Sequence, residues 1–126
     1  MGYYSDVAVG MKKEDGVRFL NNFAMSVSDS ALLDRGFTMR QHLDYVVFIW
    51  HDVKWYSSFR DVQWVETFLQ ELIQNDQPVA FARIGESMDD CEEWSCNDDD
   101  FDLLHNLFSV RRSIDLVFDK RKEVSM

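Results

Sequence analysis

The sequence predicts one α+β domain, with two helices packed on one face of a small, mostly antiparallel sheet of four strands. Two stretches repeat their apolar residues with helical spacing, and others alternate in polarity or are dense in β-branched and aromatic residues. Their order is strand, helix, strand, helix, strand, strand, which matches the split βαβ plan of ferredoxin-like domains. With 126 residues, 46% of them hydrophobic, the chain has enough apolar content for one buried core. We expect residues 1–118 to form this domain and residues 119–126 to be a charged tail that frays.

The first two elements are a strand and a helix. Val7, Val9 and Met11 lie on one face of a predicted strand over Tyr4–Met11, because they occupy every second position. The apolar residues that follow recur with helical spacing, so a helix is predicted over residues 13–26.

Residues 28–43 give the weakest pattern, and we predict a loop with one helical turn. Residues 28–30, with the sequence SDS, are typical of a helix N-cap, and Gly36 is typical of a helix end. A second strand is predicted over Tyr45–Tyr56, because this stretch is dense in β-branched and aromatic residues.

The second half of the chain contains one helix and two further strand regions. The helix is predicted to begin at Ser58–Asp61, where a capping hydroxyl precedes an acid by three residues, and to end at Asn75–Pro78. Val79–Ile84 is predicted to be a short strand. Residues 103–118 are predicted to form one or two strands with a bend near Ser109–Ser113.

The negative charge of the chain is concentrated in one segment. The chain has 13 Lys and Arg and 23 Asp and Glu, which gives a formal net charge of −10. No base lies between Arg83 and Arg111, and nine acids do: Glu86, Asp89, Asp90, Glu92, Glu93, Asp98, Asp99, Asp100 and Asp102. The rest of the chain has 14 acids and 13 bases, a net charge of −1. We therefore predict an acidic loop over residues 86–102, the acidic segment, on a nearly neutral domain.

These features argue against several classes of function. The acidic balance disfavours direct binding to nucleic acid, which is itself polyanionic. No apolar run reaches the roughly 20 residues that a membrane span needs, and two cysteines do not make a disulfide framework. We expect a cytoplasmic protein that contacts neither nucleic acid nor membrane directly.

The acidic segment has three interpretations. It is a solvated loop, a loose site for a divalent cation, or a surface that binds a basic partner. Asp98, Asp100 and Asp102 have the spacing of a calcium loop, but Leu103 and Ser109 replace the Gly and Glu that an EF-hand requires. For a partner surface, we expect contacts from all nine acids, with Trp94 and Trp55 as aromatic anchors. Pairing with Arg111 or Arg112 within the fold would reduce the exposed charge.

No catalytic, metal or cofactor site is predicted. Cys91 and Cys96 with His105 lack the paired short spacings of structural zinc sites, so two unpaired thiols are favoured over a zinc site or a reversible disulfide. His51 and Asp52 are neighbours in a predicted strand, so they are expected to point to opposite faces and not to act as a pair. Glycine-rich phosphate loops and nucleophile elbows are absent from the sequence.

Several short blocks of the sequence resemble small proteins encoded by bacteriophages and prophages. They are GYYSDVAV, HDVKWYSSFRDVQWVETFLQEL, FARIGE followed by DDCEEW, and RRSIDL. The resemblance covers most of the chain except residues 28–43 and the tail, and it carries no activity and no functional residues. It implies expression inside a bacterial cell, where small acidic phage proteins often bind and inhibit a host factor.

The leading hypothesis is a non-enzymatic interaction protein that inhibits a host nucleic-acid-handling or defence protein. The acidic segment would occupy the partner's basic surface. The alternative is a domain that binds a small molecule or a divalent cation through the same segment, and hydrolysis by converging carboxylates is a third hypothesis. Homodimerisation through an edge strand is compatible with all three.

Overall fold

A computed structural model describes residues 3–26, 32, 36–87, 90–97, 107–110 and 114–116. Its regular elements are β1 (Ser5–Lys12), α1 (Lys13–Ser26), β2 (Thr38–His42), β3 (Tyr45–Val53), α2 (Arg60–Gln74), β4 (Val79–Ile84), β5 (Cys91–Cys96), β6 (Phe108–Val110) and β7 (Ile114–Leu116). The predicted tail, residues 119–126, lies outside the described residues. No helix among the described residues is both long enough and apolar enough to cross a membrane.

The main sheet has five strands in the order β2-β3-β1-β4-β5, and every neighbouring pair is antiparallel. The short strands β6 and β7 pair in a separate antiparallel hairpin. The α+β class is confirmed, but the sheet has five strands where the sequence predicted four. The elements from β1 to β4 follow the β-α-β-β-α-β order of the split βαβ plan.

Both edge strands lie where the sequence predicted loops. Thr38–His42 pairs with β3 and Cys91–Cys96 pairs with β4, so each forms one margin of the sheet. Neither strand contains a buried residue, and most of their side chains are polar or charged. A hydrophobic pattern does not reveal such strands, because the neighbouring strand and not apolar burial holds them in the sheet.

Apolar side chains form two clusters. Along β1, β3 and β4, successive residues belong to one cluster and then to the other. The larger cluster joins both helices to β1, β3 and β4, through residues that include Phe19, Phe68, Val9, Trp50 and Phe81. The smaller cluster takes the intervening strand positions, which are mostly Ala and Val, together with Leu107 and Phe108. Because successive strand residues point to opposite faces, the two clusters lie on opposite sides of the sheet.

A glycine lets α1 approach the sheet closely. A Cβ at Gly16 would collide with the Cγ1 atom of Val46, and it would lie 3.6 Å from the ring of Phe48. Val46 is buried in β3 and branched at Cβ, so it has little freedom to move aside. The packing distance between α1 and β3 therefore depends on the absence of a side chain at residue 16.

We expect Gly16→Ala to lower the free energy of unfolding, although alanine is the better helix former by about 1 kcal/mol. Overpacking of a core typically costs about 1–3 kcal/mol, which exceeds this gain in propensity. Urea denaturation measures the difference, and Asn21→Ala, on the exposed face of α1, serves as the control that gains propensity without the clash. A Gly16→Ala protein as stable as the Asn21→Ala protein would contradict this account of the packing.

Candidate functional site

The structure describes part of the predicted partner surface. Glu86, Asp90, Glu92, Glu93, Trp94 and Trp55 are described, whereas Asp89, Asp98, Asp99, Asp100 and Asp102 lie outside the described residues. Arg111, Arg112 and His105 also lie outside them, so their predicted roles in ion pairing or zinc binding stay predictions.

The acidic segment is not a continuous loop, because Cys91–Cys96 forms strand β5. Pairing with β4 places Glu92 opposite Arg83, Glu93 opposite Ala82 and Trp94 opposite Phe81. Glu92 and Trp94 therefore lie on the face of the sheet that carries the larger apolar cluster, and Glu93 lies on the other face. The prediction of a loop is wrong for these six residues, since β4 supplies backbone partners that the sequence does not reveal.

The two predicted aromatic anchors pack partly on the core. The Trp94 ring stacks on Phe81 with ring centres 5.4 Å apart, and Trp55 lies 6.1 Å from the same ring. Trp55 also contacts Trp50 of the buried core, at 6.0 Å. Both tryptophans are half-buried, so each contributes to packing and still presents part of its ring to solvent.

Asp90 accepts three side-chain hydrogen bonds. Arg83 donates two hydrogen bonds to it, from Nη2 to Oδ1 at 2.6 Å and from Nη1 to Oδ2 at 3.1 Å. The hydroxyl of Tyr3 donates to Oδ2 at 2.6 Å. These bonds from Arg83, and then that from Tyr3, lower the pKa of Asp90 from 3.8 to about 2. The carboxylate thus holds the β4–β5 connection against β1 and is largely neutralised within the fold.

Tyr3 and Tyr4, which precede β1, also bond to the connection between β4 and β5. The backbone N–H of Ser87 donates to the Tyr3 hydroxyl at 2.9 Å, and the N–H of Tyr4 donates to Glu86 Oε2 at 2.7 Å. Gly85 makes room for the arrangement, because a Cβ there would collide with Asp90 and Tyr3. Glu86 and Asp90 are therefore engaged inside the molecule. The sequence does not indicate this role of Tyr3 and Arg83, because Tyr3 bonds to residues more than 80 positions away and Arg83 bonds across a turn.

Glu92 and Glu93 present the exposed charge of β5. Glu92 is 51% exposed and lies 3.6 Å from Arg83 Nε, a longer contact than those of Asp90. On the same face, burial raises the pKa of Glu66 in α2, and the charge of Glu92 raises it further. Glu93 is exposed on the opposite face. The strand therefore carries negative charge on both sides of the sheet edge.

Two further acids, Asp6 and Asp52, lie at the end of the sheet where β5 begins. Asp6 of β1 pairs with Ile84 of β4, and Ile84 pairs with Cys91 of β5. Asp6 and the first residue of β5 therefore lie at the same end of the sheet. Asp6 Oδ1 accepts the backbone N–H of Asp52 at 3.0 Å. Negative charge thus extends along this end of the sheet from β3 to β5, beyond the acidic segment itself.

His51 and Asp52 do not follow the predicted alternation of faces. The β1–β3 register shifts between Ser5 and Val7, and Asp52 adopts a left-handed backbone conformation with φ of 53°. Both residues consequently line one cavity, and the prediction that they point to opposite faces is wrong. Among the described residues, no three His, Cys, Asp or Glu side chains are arranged to hold a metal ion.

The two thiols are free and lie at opposite ends of β5. Five steps along a strand separate their Cα atoms by about 16 Å, whereas a disulfide needs roughly 7 Å or less. A disulfide between Cys91 and Cys96 is therefore incompatible with the strand. Desolvation raises the pKa of the Cys91 thiol, and the charge of Glu93 raises it further, which lowers the reactivity of the thiol.

We expect the contribution of Asp90 to stability to be lost in acid. Because its pKa is depressed in the folded state, the contribution is fully present above pH 4 and disappears as the pH falls towards 2. Asp90→Asn should lower the free energy of unfolding near neutral pH, and its difference from wild type should shrink between these values. Glu66 and Asp15, whose pKa values are raised, titrate in both proteins and cancel in the comparison.

Urea denaturation over a series of pH values measures this difference. The control is Glu93→Gln, which removes one charge from the same segment and leaves both Arg83 bonds to Asp90 in place. A difference between wild type and Asp90→Asn that stays constant with pH would contradict the role assigned to the pair.

We expect mild oxidation of the folded protein to form no disulfide within the chain. The intact mass under non-reducing conditions should show no loss of two hydrogens, and both thiols should remain open to alkylation after unfolding. The same oxidation in denaturant is the control, because the unfolded chain lets Cys91 reach Cys96. Formation of the bond at equal rates in both conditions would show that β5 does not persist.

Comparison with protein-family models, with curated proteins and with solved structures gives no match to this chain. The function is therefore inferred from the geometry and charge of the site.

Proposed function

We propose that the protein is a non-enzymatic interaction protein that binds a partner with a basic surface through β5 and the acids around it. The observation that carries this proposal is the position of the acidic strand. Cys91–Cys96 is the last strand of the main sheet, with exposed carboxylates on both of its faces. Concentrated charge of one sign accelerates the encounter with a surface of the opposite sign.

The acids of the segment divide into two groups by their contacts. Asp90 and Glu86 accept hydrogen bonds from Arg83, Tyr3 and Tyr4, so they shape the site. Glu92 and Glu93 are exposed and stand on a strand that the sheet holds in place. We assign the electrostatic contact with the partner to this second group, joined by Asp98, Asp99, Asp100 and Asp102 of the same segment.

Aromatic surface beside these charges favours a protein partner. Trp94 lies two positions after Glu92 on the same face of β5, and stacking on Phe81 of the core fixes its ring. A rigid, half-exposed tryptophan offers contact area at a small cost in conformational entropy. Trp55 also contacts the Phe81 ring and extends the same aromatic row.

We propose a bacterial nucleic-acid-handling or defence protein as the partner, and inhibition as the consequence. A surface that binds DNA or RNA is basic, so an acidic strand competes for the same Lys and Arg side chains. The resemblance to small phage proteins supports a bacterial host cell as the setting. The protein itself would not contact nucleic acid directly.

Affinity capture from a bacterial lysate, with the wild-type chain as bait, identifies the partner. Capture should fail when Glu92, Glu93, Asp98, Asp99, Asp100 and Asp102 are all replaced by their amides. Recovery of the same protein by this variant would contradict the proposal. Calorimetric titration with calcium and magnesium tests the alternative cation-binding function, which predicts heat of binding in the absence of any partner.

We expect Glu92→Gln with Glu93→Gln to reduce the association rate constant for the captured protein by roughly five- to tenfold at low salt. The salt dependence of the rate should become shallower, because two charges no longer attract the partner. Stopped-flow or surface-based kinetics at several salt concentrations gives both values.

The matched control is Glu14→Gln with Glu71→Gln, which removes the same charge from exposed positions on α1 and α2. This control should stay within about twofold of wild type. Equal effects of the two double variants would mean that net charge, and not the position of β5, attracts the partner.

A further inference from the structure

We infer that a cavity at the opposite edge of the sheet binds a small organic cation, namely an aliphatic amine. The cavity has a volume of about 560 Å³ and is lined by Gly36, Phe37, Thr38, Ile49, His51 and Asp52. This volume lies within the range of roughly 300–1,000 Å³ that is usual for small-molecule sites. It lies at β2 and β3, whereas β5 forms the other edge, so the site is separate from the proposed partner surface.

The carboxylate of Asp6 shapes the polar side of the cavity. Its Oδ1 accepts the N–H of Asp52 at 3.0 Å, and its Oδ2 lies 3.5 Å from His51 Nδ1. The first contact supports the left-handed conformation of Asp52, and the second restrains the imidazole. The carboxylate of Asp6, which is only 21% exposed, thus holds both His51 and Asp52 at the same cavity.

The charge around the cavity selects a cation. Asp52 lines it and Asp6 stands behind His51, so two carboxylates accompany one imidazole. Among the described residues, Lys54 and Arg83 are cations at this end of the sheet and are directed to other groups. Lys54 Nζ lies 5.7 Å from the centre of the Tyr4 ring, and Arg83 binds Asp90. Arg40, two positions from Thr38 on the same face of β2, donates a hydrogen bond to the backbone oxygen of Met39.

The remaining walls select an aliphatic chain. Ile49 contributes a branched alkyl group from β3, and Phe37 borders the cavity while its ring packs on Phe48 and Trp50 of the larger cluster. An ammonium group at Asp52 would gain a charge-assisted hydrogen bond, and Thr38 offers a hydroxyl oxygen as a second acceptor. The attached alkyl chain would lie against Ile49.

The backbone at Asp52 shows that the arrangement is specific to a short polar residue. Residues other than glycine rarely adopt positive φ, and Asp and Asn do so at the lowest cost. Asp52→Asn therefore removes the charge while keeping the bulge, which makes it the most informative variant of this site.

Pentylamine, 1,5-diaminopentane, pentanol and pentanoate are the probes, titrated at low salt by calorimetry and by NMR of the backbone amides. We expect the two amines to bind with dissociation constants on the order of 1 mM and to shift the amide signals of residues 36–38 and 49–52. The alcohol and the carboxylate should bind at least tenfold more weakly. Absence of amine binding at 20 mM, or equal binding of pentanol and pentylamine, would overturn the inference.

Three variants separate this site from general attraction to an acidic protein. Asp52→Asn should weaken amine binding about tenfold, and Thr38→Trp should abolish it by filling the cavity. Glu71→Gln, an exposed site on α2 that removes the same charge, should leave binding within twofold of wild type. Equal losses in Asp52→Asn and Glu71→Gln would show nonspecific attraction and refute the site. Circular dichroism and melting temperature establish that each variant is folded, and an unfolded Thr38→Trp protein leaves Asp52→Asn against Glu71→Gln as the decisive comparison.

Discussion

The two-pronged ion pair between Arg83 and Asp90 is the interaction on which the arrangement of the acidic region depends. Arg83 is the penultimate residue of β4, and Asp90 directly precedes β5, so the pair closes the turn between the two strands. The backbone ladder, the stacking of Trp94 on Phe81 and the contact of Glu92 with Arg83 also hold Cys91–Cys96 beside β4. A partly buried, bidentate guanidinium–carboxylate pair is well suited to the task, because its geometry fixes direction as well as distance.

This pair also reduces the number of acids in the segment that are available to a partner. One base at the boundary of the acidic segment is used to neutralise an acid inside it, and Glu86 is bound by the N-terminal backbone. Among the acids of the segment that the structure describes, Glu92 and Glu93 then carry the exposed charge, and a strand presents them on a rigid support. Charge on a rigid strand steers a partner into one orientation, whereas the same charge on a solvated loop would act mainly through its total.

The cavity on the other edge has a different origin. There a shift of register between β1 and β3 breaks the alternation of the strand, and Asp6 stabilises the resulting bulge. Bulges redirect side chains at the cost of regular pairing, so His51 and Asp52 face the same space. The two edges of one sheet therefore offer distinct chemistries, an exposed acidic strand and a polar cavity that is open to solvent.

The sequence alone determined the class of the fold, both helices and the three buried strands. Side chains that pack in the core recur with the spacing of the helix or strand that contains them, so their pattern is visible in the sequence. It also located the excess charge between Arg83 and Arg111. Tertiary structure alone decided the edge strands Thr38–His42 and Cys91–Cys96, since backbone pairing with a neighbour needs no hydrophobic pattern. It alone decided which acids are engaged and which are exposed, because the partners of Asp90 come from distant Tyr3 and from Arg83 across a turn. Such bonds depend on distances in the folded chain, and they cannot be predicted from the local sequence.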